Sequence, residues 1–337
     1  MSAPSARAGA GMAYDPASKR LVLYGGEVGG SVCPHGPSRA AAKEWTATWL
    51  YDGRHWNQSD IPTATYPPPV NPTMVYDPAA HGLVMIGFGR RKDHTWLLRA
   101  GRWHRLAATT PDALLSDATT YDPVTKKVVL LDLDGKTWAF NGTKWKGMPG
   151  RVVVGRDNGF LPATIGFDPV SRKLITITEH FEGNDPQHLT AVFNTLRYQD
   201  RSWVMLPTKS TPPALSGQQP EERLVLAPGG RQLMLVVVTP PPADGPIDPT
   251  TLHIQTWKFN GHRWTKTTDA GPPPRTSYSL AYDRATKRVV LFGGHDIGQQ
   301  HDHVRDDIWA FNGIRWSRQQ PDLPEPPNSV RCRQTSS

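Results

Sequence analysis

Residues 295–307 hold the densest set of side chains able to do chemistry: His295, Asp296, His301, Asp302, His303, Asp306 and Asp307. His301 and His303 stand two apart, so in an extended segment both imidazoles point the same way. They could share a divalent metal, with Asp296 or Asp306 completing a two-histidine, one-carboxylate set. A second group, Glu179, His180, Glu182, Asp185 and His188, offers acid–base chemistry, because burial and neighbouring charge can tune glutamate and histidine towards neutral pH. Each group also reads as a solvated polar loop, since no HExxH, paired CxxC, phosphate loop or nucleophile elbow accompanies it.

The elements that must position these groups are marked by tryptophan. Trp49 and Trp56, Trp96 and Trp103, Trp138 and Trp145, Trp257 and Trp264, and Trp309 and Trp316 are each seven apart, and Leu196 with Trp203 makes a sixth pair. Between partners lies a turn such as Tyr51-Asp52-Gly53, Phe140-Asn141-Gly142 or Phe311-Asn312-Gly313, which suits a two-residue hairpin. Upstream of each pair sits another hairpin, announced by Tyr14-Asp15-Pro16, Tyr76-Asp77-Pro78, Tyr121-Asp122-Pro123, Phe167-Asp168-Pro169 or Tyr282-Asp283. In the fifth repeat Ala227-Pro228-Gly229-Gly230 takes that place. Proline cannot donate to a ladder, so Asp-Pro ends a strand. The runs that follow, such as Leu233 to Val238 and Val289-Val290-Leu291, read as strands.

Each repeat is therefore four antiparallel strands, A to D, with tight A–B and C–D turns and longer B–C and D–A connections. Six such sheets predict an all-β, six-bladed propeller over residues 1–320. Its blades fall roughly at 7–58, 70–106, 117–147, 160–206, 222–266 and 275–318, with a tail at 321–337. The double glycines Gly25-Gly26 and Gly293-Gly294, followed by the aromatic pairs, resemble the kelch repeat, with Gly87-Phe88-Gly89 as a degraded copy. That resemblance implies a propeller and leaves function open, because kelch propellers include enzymes, actin binders, ubiquitin-ligase adaptors and extracellular modules. The paired tryptophans read as core. Trp45, outside the pattern, is a candidate ligand contact.

In this frame the long connections share one face, the expected ligand face. Eight of the twelve histidines fall in B–C segments. The starts of the A strands, at Arg7, Asn71, Asp117, Asn158, Glu222 and Arg275, ring the axial mouth. The two arginines could clamp an anionic ligand bidentately, or pair with neighbouring blades. Tyr278, just beyond Arg275, could serve as an acid or donor. His180, Glu222 and Tyr278 are the candidate catalytic side chains. No strand is lent across the seam between the last and first blades, so closure falls to blade packing or to a staple. Cys33 and Cys332, the only cysteines, lie towards that seam on the long-loop face and are expected to form a disulfide. Such a bond favours an exported protein, although Met1 to Ala10 has no apolar run of the kind a signal peptide carries and a cytoplasmic location is the alternative.

Composition narrows the classes further. The chain has 337 residues, 38 lysines and arginines against 30 acidic residues, and 37% hydrophobics. No apolar run reaches the ~18–20 residues that span a bilayer. Arg90-Arg91-Lys92 is the only basic run, and the charge is otherwise mixed, which argues against nucleic acid as a partner. The resulting expectation is a binding module for a protein, glycan or small anionic ligand at the long-loop face. The alternative is a lyase-, isomerase- or cyclase-type enzyme with metal-assisted or acid–base chemistry at the axial mouth.

Overall fold

The structure, a computed structural model, describes residues 3–27, 46–59, 61, 70–88, 94–111, 118–132, 134–152, 162–182, 190–207, 212, 215–216, 221–238, 254–268, 270–297 and 303–319. They form six antiparallel sheets in chain order. Blade 1 is β1 (Ala8–Asp15), β2 (Arg20–Glu27), β3 (Thr48–Tyr51) and β4 (Trp56–Ser59). Blade 2 is β5 (Val70–Asp77), β6 (Gly82–Phe88), β7 (His94–Arg99) and β8 (Arg102–Thr109), and blade 3 is β9 (Thr119–Asp122), β10 (Lys127–Leu131), β11 (Lys136–Phe140) and β12 (Trp145–Arg151). Blade 4 is β13 (Pro162–Asp168), β14 (Lys173–Glu182), β15 (Thr190–Gln199) and β16 (Ser202–Met205), with the short β17 (Leu215–Ser216) added to β15. Blade 5 is β18 (Glu221–Leu226), β19 (Leu233–Val238), β20 (Ile254–Phe259) and β21 (Trp264–Thr268). Blade 6 is β23 (Ser279–Asp283), β24 (Arg288–Phe292), β26 (Ile308–Phe311) and β27 (Trp316–Gln319), beside a ribbon of β22 (Arg275–Thr276) and β25 (His295–Asp296). The innermost strands β1, β5, β9, β13, β18 and β23 pack in turn, and β23 meets β1, so the ring closes.

The second strands are apolar without alternation because they are buried on both faces. Leu233, Leu235 and Val237 of β19 pack towards blade 4, while Met234, Val236 and Val238 pack towards blade 6. The core is accordingly divided among the gaps between blades.

The A–B turns are closed by their aspartates. Asp168 accepts the main-chain N–H of Val170 at 3.2 Å and of Ser171 at 2.8 Å, and Asp15, Asp77, Asp122 and Asp283 make like contacts. The C–D turns depart from expectation. Tyr51 pairs with Trp56, and Phe311 with Trp316, leaving four residues in the turn rather than two. The reason is the Asx side chain: Asn312 accepts from Ile314 at 2.9 Å and Arg315 at 3.0 Å, which holds the wider loop. Two-residue turns occur where that cap is missing, at Ala100-Gly101, and also at Asp200-Arg201; all four residues have positive φ.

The tryptophan spacing has a physical cause. The indole N–H of the D-strand tryptophan donates to a threonine hydroxyl of the preceding blade: Trp103 to Thr48 (3.2 Å), Trp145 to Thr95 (2.8 Å), Trp203 to Thr137 (2.8 Å), Trp264 to Thr195 (3.0 Å) and Trp316 to Thr256 (3.0 Å). Each threonine directly precedes the first member of an aromatic pair, or Leu196 in its place. At the seam the corresponding residue is Ile308, and the Nε1 of Trp56 is buried with no partner.

Blade 6 contains only its own strands, as the sequence implies. The seam is closed by a shared apolar cluster and by main-chain bonds: Arg7 N–H to the Arg305 carbonyl at 3.1 Å, Gly9 N–H to Ser277 at 2.7 Å and Gly294 N–H to Arg7 at 3.0 Å. A Cβ on Gly293 would collide with the Arg7 carbonyl, and its φ of 68° also favours glycine. The double glycine of the last blade is what lets the chain's first segment lie against it. Cys33 and Cys332 are outside the described residues.

Candidate functional site

The arginines read as an anion clamp are both fully buried and satisfied by protein. Arg7 donates from Nη1 to the Gly25 carbonyl at 3.1 Å, and from Nε and Nη2 to Ser5, also at 3.1 Å. Arg275 repeats the arrangement, donating to the Gly293 carbonyl at 3.2 Å and the Pro273 carbonyl at 2.9 Å, and it forks onto both carboxyl oxygens of Asp307. Burial alone would raise the Asp307 pKa, but hydrogen bonds from Arg275 and Trp309 and the guanidinium charge outweigh it and hold the carboxyl below the usual range. These arginines brace the double-glycine bends. Asn71 is exposed at a bulge in β5, with its side-chain oxygen against Gly9. Asp117, Asn158 and Trp45 are outside the described residues.

Glu222 is the member of the predicted mouth with an unusual environment. It lies buried on β18 and is hydrogen-bonded to the equally buried Glu179 of β14, across the gap between blades 5 and 4. Burial first, then the charge and hydrogen bond of Glu179, push its pKa well above the ordinary glutamate value. Two carboxyls in contact cannot both ionise cheaply, so the pair shares a proton. Beside them Arg223 pairs with Glu221 at 2.8 Å and lies 5.2 Å from the ring centre of Tyr278, which is 1% exposed. His180 is placed on β14 opposite Val192; Asp185 and His188 are outside the described residues.

The proposed metal set is not assembled among the described residues. Asp296 is held by Arg305, at 2.8 Å from Nη2, and by His303 at 3.4 Å. Asp306 is exposed, and His301 is outside the described residues. No group of three or more His, Cys, Asp or Glu side chains gathers to hold a metal among the described residues. Asp296 already has a charge partner in the Arg305 guanidinium.

A cavity of about 480 Å³ instead follows the axis, walled by all six inner strands. Pro72, Thr119, Thr164 and Arg223 line its long-loop half, and Pro16, Pro78, Pro123 and Arg284 line its end at the A–B turns. There Tyr14, Tyr76, Tyr121, Phe167 and Tyr282 form an aromatic collar, with Leu226 completing the ring. Each aromatic leans into the gap behind it and is half-buried. Burial raises the pKa values of Tyr14, Tyr76 and Tyr121, followed in each case by the turn aspartate of the preceding blade, Asp283, Asp15 and Asp77. These hydroxyls therefore stay protonated, as hydrogen-bond donors. The collar lies at the opposite end from the long-loop face on which the sequence places the ligand. Its signal was in the motif already quoted, the aromatic residue before each turn aspartate.

No family model and no curated protein matches the chain. A Dyadobacter fermentans protein of unknown function shares 10% identity at a TM-score of 0.51, over 91% of this chain and 95% of that one. A Niastella koreensis GH74 enzyme shares 12% at 0.47, over 94% of this chain and 46% of the enzyme, and Trypanosoma rangeli sialidase 12% at 0.46, over 93% and 55%. The chain thus spans about half the length of those two enzymes. Likeness at this level establishes the propeller fold alone, and nothing in it identifies a kelch-repeat family. No helix among the described residues is long and apolar enough to cross a membrane.

Proposed function

We propose that the chain is a binding module whose ligand, a small acidic glycan, seats in the axial channel. The observation that carries this reading is the collar of tyrosines around a 480 Å³ cavity, a volume in the usual range for small-molecule sites. Aromatic faces cover the apolar faces of sugar rings while protonated hydroxyls donate to their oxygens. Arg284 on the lining supplies positive charge for a carboxylate or sulfate. The reading moves the ligand from the long-loop face into the axis, and it belongs with an exported protein.

Calorimetric titration of the full chain with glucuronate-containing and sulfated disaccharides, beside their neutral counterparts, tests it. Acidic sugars should bind, neutral ones should bind at least about tenfold more weakly, and Tyr76→Ala with Tyr121→Ala should abolish the heat while the protein still melts cooperatively. Absence of heat with every acidic sugar at millimolar concentration overturns the proposal.

The Glu179–Glu222 pair, buried between blades 4 and 5 and outside the cavity lining, supports a second reading, acid–base catalysis. Incubation with the same sugars followed by product analysis separates the two. Products that vanish in Glu222→Gln while binding persists make the chain an enzyme; no products leave the binding module.

A further inference from the structure

The twelve tight turns lie together at one end of the molecule. Within a blade the A–B and C–D turns share an end because the strands are antiparallel. Between blades, Gly53 of one C–D turn lies against Thr286, Gly261 against Val170 and Gly313 against Pro228, each a residue of the preceding blade's A–B turn. This face is strongly cationic. Taken from the last paired residue to the first, the turns 15–20, 77–82, 122–127, 168–173, 226–233 and 283–288, with 51–56, 99–102, 140–145, 199–202, 259–264 and 311–316, contain seventeen lysines and arginines against seven aspartates. That excess of ten is larger than the net +8 of the whole chain, so everything else is net negative.

The cations are available. All but Arg20 and Lys127 are exposed, and none is ion-paired among the described residues. Five of the seven aspartates are turned inward to cap the A–B turns. The same turns carry apolar tips: Ile314 is 76% exposed, Val124 50% and Val170 49%, three of the five large hydrophobics most open to solvent among the described residues.

We propose that this face docks on an anionic lipid bilayer. Its charge is spread over all six blades, and a disc of cations matches a plane of negative headgroups, whereas a linear polyanion is matched by a stripe. The apolar tips add what a polymer would not use, short side chains that enter the headgroup boundary. The proposal does not rest on the channel reading: Arg284 is the one cation the two share, and the probe contains no sugar.

The test is sedimentation of the full chain with phosphatidylserine–phosphatidylcholine vesicles and with pure phosphatidylcholine vesicles. Only the anionic vesicles should retain the protein, and high salt should release it. Replacing Lys144, Arg263 and Arg315 together by glutamate should weaken binding about a hundredfold or more, since each basic residue near such a surface contributes on the order of tenfold. Ile314→Ser leaves the charge intact and should weaken it by up to about tenfold. All four side chains are exposed, and unchanged melting confirms that both variants fold. No retention on anionic vesicles, equal retention on neutral ones, or binding that survives the triple substitution overturns the proposal. So does capture of duplex DNA by a protein that ignores vesicles.

Discussion

Glu222 ionises at a cost that the rest of the fold must carry. Its folded-state pKa is raised, so between the ordinary glutamate pKa and the folded value the native state holds a proton that the unfolded chain has lost. Stability from this group is therefore intact in acid and falls as pH rises through that window. Glu222→Gln keeps a donor for Glu179 and removes the charge. Thermal melts should show the variant more stable than the parent at neutral pH, with the difference closing towards pH 4; a gap that widens in acid would contradict the pairing. Asp307 has the opposite sign, stabilising above its unfolded pKa and losing that contribution as acid protonates it. Removing Arg275 leaves that carboxylate buried and unpaired, so Arg275→Ala should cost about 3–5 kcal/mol in denaturant unfolding. Arg7, Arg275 and Glu222 were visible in the sequence as residues at like positions, the starts of A strands. Their partners were not, because carbonyls eighteen residues along and a carboxyl in the next blade are brought near only by the folded ring.

At the scale of elements, the seven-residue tryptophan spacing specified a hairpin six times, and the sheets follow it. Turn length was misread because Asp and Asn were credited with tolerating positive φ, when their stronger effect is to cap the N–H groups two and three residues on. The link between elements was present in the sequence as Thr48, Thr95, Thr137, Thr195 and Thr256, yet one residue type beside an aromatic pair carries no direction until neighbouring sheets are stacked. Thr256→Val should leave the Trp316 indole unsatisfied and cost about 1–3 kcal/mol. At the seam the reverse change is informative. Ile308→Thr loses about 1.5–2 kcal/mol of apolar burial but offers Trp56 its missing acceptor, worth about 1–3 kcal/mol, so the variant should unfold within about 1 kcal/mol of the parent. A loss as large as that of Thr256→Val would mean that the Trp56 indole does not turn to the new hydroxyl.

For the whole molecule, blade number and strand order were readable because each repeat obeys the same local rules. The axial cavity was not, because a channel belongs to no single repeat and exists only once six inner strands face one another. The seam also bears on the two cysteines. Intact-mass measurement before and after reduction should reveal a gain of two hydrogens if Cys33 and Cys332 are joined, and an unchanged mass would leave closure to packing and the main-chain bonds of Arg7 and Gly9. Since every blade takes its four strands from one continuous stretch of chain, a chain emerging from the ribosome can complete and stack each sheet before the next is made. Apart from the seam, strands then meet only within a blade or between blades that follow one another in the chain, and only the meeting of the first and last blades must wait for the full length, the one slow loop closure in the assembly. A circular permutant opened at another D–A connection would shift that late step to a gap already secured by a tryptophan–threonine bond, and its folding rate would report how much of the delay belongs to the seam itself.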